Sequence, residues 1–108
     1  MDVLSGTKQI AARGHSHAPD EAGDRRPLWW YARLVRNLCP GGGRLFHWGC
    51  GDGELLKQVS GHFEAYGYDD AALTRHRCRT NVTDAVVLED PTEIPDESID
   101  VVLWLGAI

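Results

Sequence analysis

Apolar residues along the chain fall into two rhythms, and the change between them marks the elements. In "DRRPLWWYARLVRNL" they stand at Leu28, Tyr31, Leu34, Val35 and Leu38, the three-and-four spacing of one helix face. Asp24 can cap the start of that helix, and Pro27 suits its first turn, where a missing N–H costs nothing. "CPGGG" then stops it. Trp29 and Trp30 are read as covering a core edge. Beyond lie shorter apolar or alternating runs, "RLFHW", "HFEAYGYDD", "AVVLED" and "IDVVLWLGAI", each read as a strand. "ELLKQVS", ended by Gly61, and "AALTRHRCR" are helical stretches between the first three, and the turn-rich "PTEIPDES" precedes the last.

Strands separated by crossover segments imply a parallel sheet with both faces covered. A continuous run such as "VVLWL" fits that arrangement better than a half-exposed hairpin. The expected fold is therefore α/β, a Rossmann-like parallel sheet with flanking helices. Residues 1 to 23 are polar, dotted with glycine and without periodicity, and read as a loosely ordered tail. Residues 24–108 read as one domain, which is all that 108 residues accommodate.

Composition narrows the function classes. Eleven basic against 16 acidic residues leave a net charge of −5, which argues against a nucleic-acid surface, since that needs clustered Lys and Arg to displace counterions. Cys39, Cys50 and Cys78 form no CxxC pair and read as reduced thiols of a cytoplasmic protein. No apolar run reaches signal-peptide or bilayer length, so no membrane partner is expected. His15 and His17 in "HSH" could hold a metal, but no further ligands follow at metal-site spacing, and no metal is expected.

The densest chemistry lies in "RLFHWGCGDGELL", residues 44–56, where Gly49, Gly51 and Gly53 alternate between a strand and a helix. At the end of the first strand of an open α/β sheet the chain turns sharply into a helix, and ligands lie in that crevice. Glycine there permits positive φ and lets the backbone approach a ligand with no Cβ in the way. The helix beginning near Asp52 to Glu54 points free N–H groups at the same place. The spacing is GxGxG. A dinucleotide fingerprint, GxGxxG, would need glycine where Glu54 stands, which disfavours a nicotinamide-dependent oxidoreductase. Asp69, closing the second strand in "YGYDD" sixteen residues beyond Gly53, can return to the crevice and accept both hydroxyls of a ribose. Capping of the following helix is the competing role, which Asp70 can also fill. The third strand ends in Asp90, and "IPDESIDVV" leads through a turn into the fourth.

Together "FHWGCGDG", "YGYDD" and "EDPTEIPDESIDVVLWLG" resemble, in order and spacing, the motifs of class I S-adenosylmethionine-dependent methyltransferases, from about Trp29 to Ile108. The resemblance implies S-adenosyl-L-methionine as cofactor and a small-molecule methyl acceptor. It implies that Gly49, Cys50, Gly51 and Gly53 border the methionine and ribose, and that Asp69, with Asp70 beside it, binds the ribose hydroxyls. Asp90 would meet the adenine amino group, and the backbone near Trp104 and Leu105 would line the methyl-transfer pocket. Catalysis would rest chiefly on alignment of the two reactants, and no catalytic residue is singled out.

The chain departs from the family pattern in two places. His47 stands where the family usually has Asp or Glu facing the charged methionine part. A neutral imidazole could accept a hydrogen bond there, and a histidine satisfied beneath the loop with no ligand role is the alternative. The family's sheet has seven strands, whereas the pattern here ends after the fourth. A partial domain is therefore expected, with "VVLWL" at an uncovered edge open to self-association. A catalytically inactive, truncated relative that serves as a binding or interaction module is the alternative to an enzyme.

Overall fold

The computed structural model describes residues 8–12, 26–94 and 99–105. Every strand that the hydropathy pattern predicts is present in it, and all are parallel. In chain order the elements are β1 (Lys8–Ala12), α1 (Leu28–Leu38), β2 (Arg44–Trp48), α2 (Glu54–Val59), β3 (Glu64–Tyr68), α3 (Ala72–Asn81), β4 (Ala85–Val87), a 3-10 turn (Pro91–Glu93) and β5 (Val101–Leu105). Across the sheet the order is β1-β5-β2-β3-β4.

Two sheet faces follow from strand alternation. Leu45, Ala65, Val101, Leu103 and Leu105 point to one face and pack with Tyr31, Ala32 and Val35 of α1, Leu55, Leu56 and Val59 of α2, and Cys78 of α3. Each fully buried leucine here contributes about 1.5–3 kcal/mol relative to exposure. On the opposite face Phe46, Tyr66 and Leu88 form a smaller cluster, flanked by Trp48, Tyr68, Ile94, Ile99 and Val102. The expectation of helices over both faces is met on one: among the described residues all three helices pack on the first face.

α1 buries Tyr31, Ala32 and Val35, close to the stripe predicted for it. Pro27 sits one position earlier than expected, at the N-cap, where its carbonyl accepts the Trp30 N–H at 3.0 Å. Asp24 lies outside the described residues. The two tryptophans divide. Trp30 packs against the core with the Arg26 guanidinium 4.1 Å over its ring, whereas Trp29 is 55% exposed.

The larger correction concerns the edge. The strand expected to be uncovered, β5, is paired on both sides: β2 along one and β1 along the other, in register from Lys8↔Val101 to Ala12↔Leu105. β1 lies inside the stretch read as a loosely ordered tail. "KQIAA" carries one large apolar residue and shows no alternation, so periodicity does not mark it as a strand. Its backbone satisfies the β5 edge all the same, because ladder hydrogen bonds need no particular side chain. The edge at which self-association was expected is thus occupied. Removing residues 1–12 uncovers it, and we expect concentration-dependent self-association of the shortened chain by sedimentation velocity, absent from the full chain.

His15 and His17 lie outside the described residues. No helix among the described residues is long and apolar enough to cross a membrane.

Candidate functional site

Because the sheet is parallel, the chain leaves β2, β3 and β5 at the same end, and the predicted site residues gather there. After Trp48 the chain turns back at once. The N–H groups of Gly49 and Cys50 both donate to the Tyr68 carbonyl, at 2.7 and 3.0 Å, hooking the glycine turn onto the end of β3. Gly49 and Gly51 hold φ of 77° and 56°, the left-handed region that L side chains resist. A Cβ added at either would meet nothing within 4 Å, so both leave bare backbone facing open space. Gly53 differs. At φ 90°, its missing Cβ would lie 2.5 Å from Val82 Cγ2 and 2.9 Å from Cys78 Sγ. Glycine at this position lets the start of α2 pack against Val82 and Cys78.

Asp69 stands directly over this turn. Its Oδ2 accepts the Gly51 N–H at 3.2 Å and its Oδ1 accepts the Ala71 N–H at 3.1 Å. The carboxylate therefore ties the glycine turn to the start of α3 while remaining part-buried at the crevice. Asp70 is exposed, and the N-cap of α3, Ala71, makes no side-chain capping bond. Of the two aspartates weighed for capping this helix, it is Asp69 that accepts a backbone N–H at its start, that of Ala71.

Arg75, which sequence reasoning missed, holds this corner together. Its guanidinium donates to the carbonyls of Asp69 (2.7 Å) and Asp70 (3.1 Å), pairs with Glu89 at 3.3 Å and lies 5.5 Å over the Tyr68 ring. Arg79 also pairs with Glu89, and donates to the Val87 carbonyl at 3.0 Å. Arg79, with Arg75 second, holds the Glu89 carboxyl below its ordinary range. Nothing in "TRHRCR" distinguishes Arg75 from its basic neighbours, because its role depends on which way one turn of α3 faces. Arg75→Met removes charge-assisted bonds to two carbonyls, each worth about 1.5–3 kcal/mol. We expect a lower urea midpoint, with Arg75→Lys recovering only part of it, since an ammonium lacks the planar fork.

Beside the turn is a pocket of about 170 Å³, walled by Leu28, His47, Gly49, Cys50, Gly51, Asp52, Glu54, Leu55 and Leu105. That is smaller than a site enclosing a whole drug-sized ligand, roughly 300 Å³ or more, so it suits one end of an elongated molecule. His47 is 4% exposed and contributes to the wall from the helix-covered face of the sheet. Leu105 does the same from β5. Its neighbour Trp104 does not. Strand alternation turns Trp104 to the opposite face, 42% exposed, with its ring 6.3 Å from that of Trp48. Leu28, Asp52 and Glu54 are wall residues that motif reasoning did not select. The signal for Glu54 was its position in the first turn of α2.

Asp90 lies beyond β4 and is exposed. It caps the 3-10 turn: Oδ1 accepts both the Thr92 N–H (2.9 Å) and the Thr92 hydroxyl (2.8 Å), and its own N–H donates to Glu93 Oε1 at 2.7 Å. The bonds from the Thr92 backbone and hydroxyl hold its carboxyl below the ordinary value. Of the predicted set, the structure thus brings together His47, Gly49, Cys50, Gly51 and Asp69. Gly53 serves packing, Asp90 serves a cap, and the Trp104 side chain lies on the other face.

No protein-family model matches the sequence, and no curated protein does either. Among solved structures the chain is similar to the sugar N-methyltransferase KedS8 from Streptoalloteichus sp., at 24% identity and a TM-score of 0.52, covering 81% of this chain and 41% of that one. It is also similar to a TehB-like SAM-dependent methyltransferase from Corynebacterium glutamicum, at 22% identity and a TM-score of 0.49, covering 53% of this chain and 32% of that one. The chain spans about a third to two-fifths of the length of these two proteins. The likeness to KedS8 is one of fold.

Proposed function

We propose that this chain, whose fold is that of the class I S-adenosylmethionine-dependent methyltransferases, binds S-adenosyl-L-methionine and forms the cofactor-binding part of a methyltransferase acting on a small molecule. The observation that carries the reading is the Asp69 carboxylate, set against the Gly51 N–H at 3.2 Å beside two glycines whose Cβ positions are empty space. A nucleoside laid across bare backbone needs that opening, and its ribose hydroxyls need an acceptor at its edge. The residues present fit such a ligand.

When bound, S-adenosylmethionine supplies an electrophilic methyl carbon on a sulfonium. This chain's residues bind and orient. Gly49 and Gly51 admit the ligand to the backbone, and Asp69 accepts from the ribose. The pocket bordered by His47 and Leu105 takes the amino-acid end, with the carboxylates of Asp52 and Glu54 suited to its ammonium group. Alignment of the methyl carbon with an acceptor supplies the rate. That KedS8 is a sugar N-methyltransferase supports a small-molecule acceptor. Binding without transfer is the second reading. It is favoured by His47, which puts a buried imidazole on the pocket wall where the resemblance leads one to expect a carboxylate.

Isothermal titration of the chain with S-adenosylmethionine and S-adenosylhomocysteine tests the proposal. We expect saturable one-to-one binding of both, and absence of binding overturns it. Transfer of a labelled methyl group to amine or sugar acceptors then separates the enzyme from the binding module.

A further inference from the structure

The pocket beside the glycine turn is lopsided in charge. Its wall carries the Asp52 and Glu54 carboxylates and the His47 imidazole, and among the described residues that line it there is no lysine or arginine. Otherwise the wall is apolar side chain and glycine turn. The amino-acid tail of S-adenosylmethionine ends in two groups, an ammonium and a carboxylate, and this wall answers them unequally. The ammonium meets two carboxylates of opposite sign. The tail's own carboxylate meets the same two, now of like sign.

Backbone N–H groups are the other means by which a loop of this kind holds an anion. Here they are already engaged. The N–H groups of Gly49 and Cys50 donate to the Tyr68 carbonyl at 2.7 and 3.0 Å, and that of Gly53 to the Cys50 carbonyl at 3.0 Å. That of Gly51 donates to Asp69 Oδ2 at 3.2 Å. The first turn of α2 has N–H groups of its own, but Glu54 stands in that turn and supplies negative charge there. Size settles the matter. A space of about 170 Å³ is narrower than the distance over which salt screens charge, about 8–10 Å, so an anion anywhere in it feels both Asp52 and Glu54.

We propose that the pocket selects a tail that carries an amine and no carboxylate. The preferred ligand is then an adenosyl thioether or sulfonium whose chain ends in a primary aminoalkyl group. The inference rests on the function proposed above, because it takes a nucleoside across Gly49 and Gly51 as its starting point; what it adds is the tail the site favours. Asp52 and Glu54 become the specificity-determining residues, while Asp69 keeps the ribose. Removing the carboxylate from the ligand relieves two like-charge contacts and leaves the attraction for the ammonium intact. Both residues are exposed, so water weakens each contact and the preference is moderate, not that of a buried ion pair.

Isothermal titration of the full chain with three thioethers tests this, at about pH 8, above the ordinary imidazole value of about 6.5. They are S-adenosylhomocysteine, its counterpart without the carboxylate, 5′-S-(3-aminopropyl)-5′-thioadenosine, and 5′-methylthioadenosine, which has neither end group. We expect the amine to bind tightest, about tenfold more tightly than S-adenosylhomocysteine at low salt, with the gap closing as salt is raised. Glu54→Gln and Asp52→Asn should each narrow that gap, by weakening the amine more than 5′-methylthioadenosine, whose affinity reports that the nucleoside site is still folded. S-adenosylhomocysteine binding as tightly as the amine would overturn the inference and leave the nucleoside site standing; binding more tightly would place its carboxylate on His47. A gap unchanged in both variants would overturn it as well, since the two carboxylates would not be its source. Failure of all three ligands to bind is a different result: it overturns the function proposed above, and this inference with it.

Discussion

Gly53→Ala is expected to destabilise the fold by about 2–5 kcal/mol, the sum of a left-handed backbone, about 1–2 kcal/mol for an L residue, and overpacking, typically about 1–3 kcal/mol. The added methyl would stand 2.5 Å from Val82 Cγ2 and 2.9 Å from Cys78 Sγ, both on buried side chains, so relief requires two packed side chains to give way at once. Against a total stability of about 5–15 kcal/mol for a domain of this kind, that is a large share. Gly49→Ala is the informative partner. Its φ of 77° imposes the same backbone cost, but its methyl meets nothing within 4 Å, so the loss should stay near 1–2 kcal/mol. Under the proposed function the order reverses for ligand affinity. The Gly49 methyl occupies the space a nucleoside needs, so Gly49→Ala folds but binds poorly, whereas folded Gly53→Ala retains an open turn. Urea denaturation and titration with S-adenosylhomocysteine, run on both variants, check the crossing. Equal destabilisation by the two would show that the three glycines share one role.

That division of labour is invisible in the sequence, where Gly49, Gly51 and Gly53 look alike. Alternation and three-and-four spacing locate β2 to β5 and the three helices because they report burial, and burial is what hydrophobic patterning encodes. They do not report what a given glycine faces, since that depends on α3 arriving beside Gly53 from 25 residues downstream. The same limit explains Arg75, whose partners Tyr68, Asp69, Asp70 and Glu89 lie on two segments, one at the end of β3 and one after β4, and β1, whose claim to a place in the sheet is backbone pairing with almost no apolar signature. Trp104 shows the converse. Its neighbourhood was read correctly as the end of the last strand, but a strand offers alternate residues to opposite faces, and the register puts Leu105, not Trp104, on the pocket. Asp90 does not close its strand as expected but stands three residues past the end of β4, where "DPTE" encodes a capping box, the role its Oδ1 fills.

Asp69 is where the reading of the site can be pressed hardest, because its carboxylate has a structural duty and a proposed ligand duty at once. Asp69→Ala removes the acceptor for the N–H groups of Gly51 and Ala71, so some loosening of the turn follows whatever the ligand. Loss of a charge-assisted bond to a ribose hydroxyl adds about 1.5–3 kcal/mol of binding free energy, roughly a ten- to hundredfold fall in affinity. The two effects separate in a double-mutant cycle that alters the ligand as well as the protein. Wild type should prefer S-adenosylhomocysteine to its 2′-deoxy analogue, and Asp69→Ala should bind the two nearly equally. A purely structural aspartate would weaken both ligands by the same factor and leave the preference intact. Asp69→Asn sharpens the test. It keeps one carbonyl oxygen for either Gly51 or Ala71, but turns the other position into a donor facing an N–H or a hydroxyl. We therefore expect it to recover part of the stability lost in Asp69→Ala and only a small part of the discrimination between the two ligands. Discrimination at the wild-type level in Asp69→Ala would remove the ribose from this carboxylate, and with it the observation on which a methyl-donor site here rests.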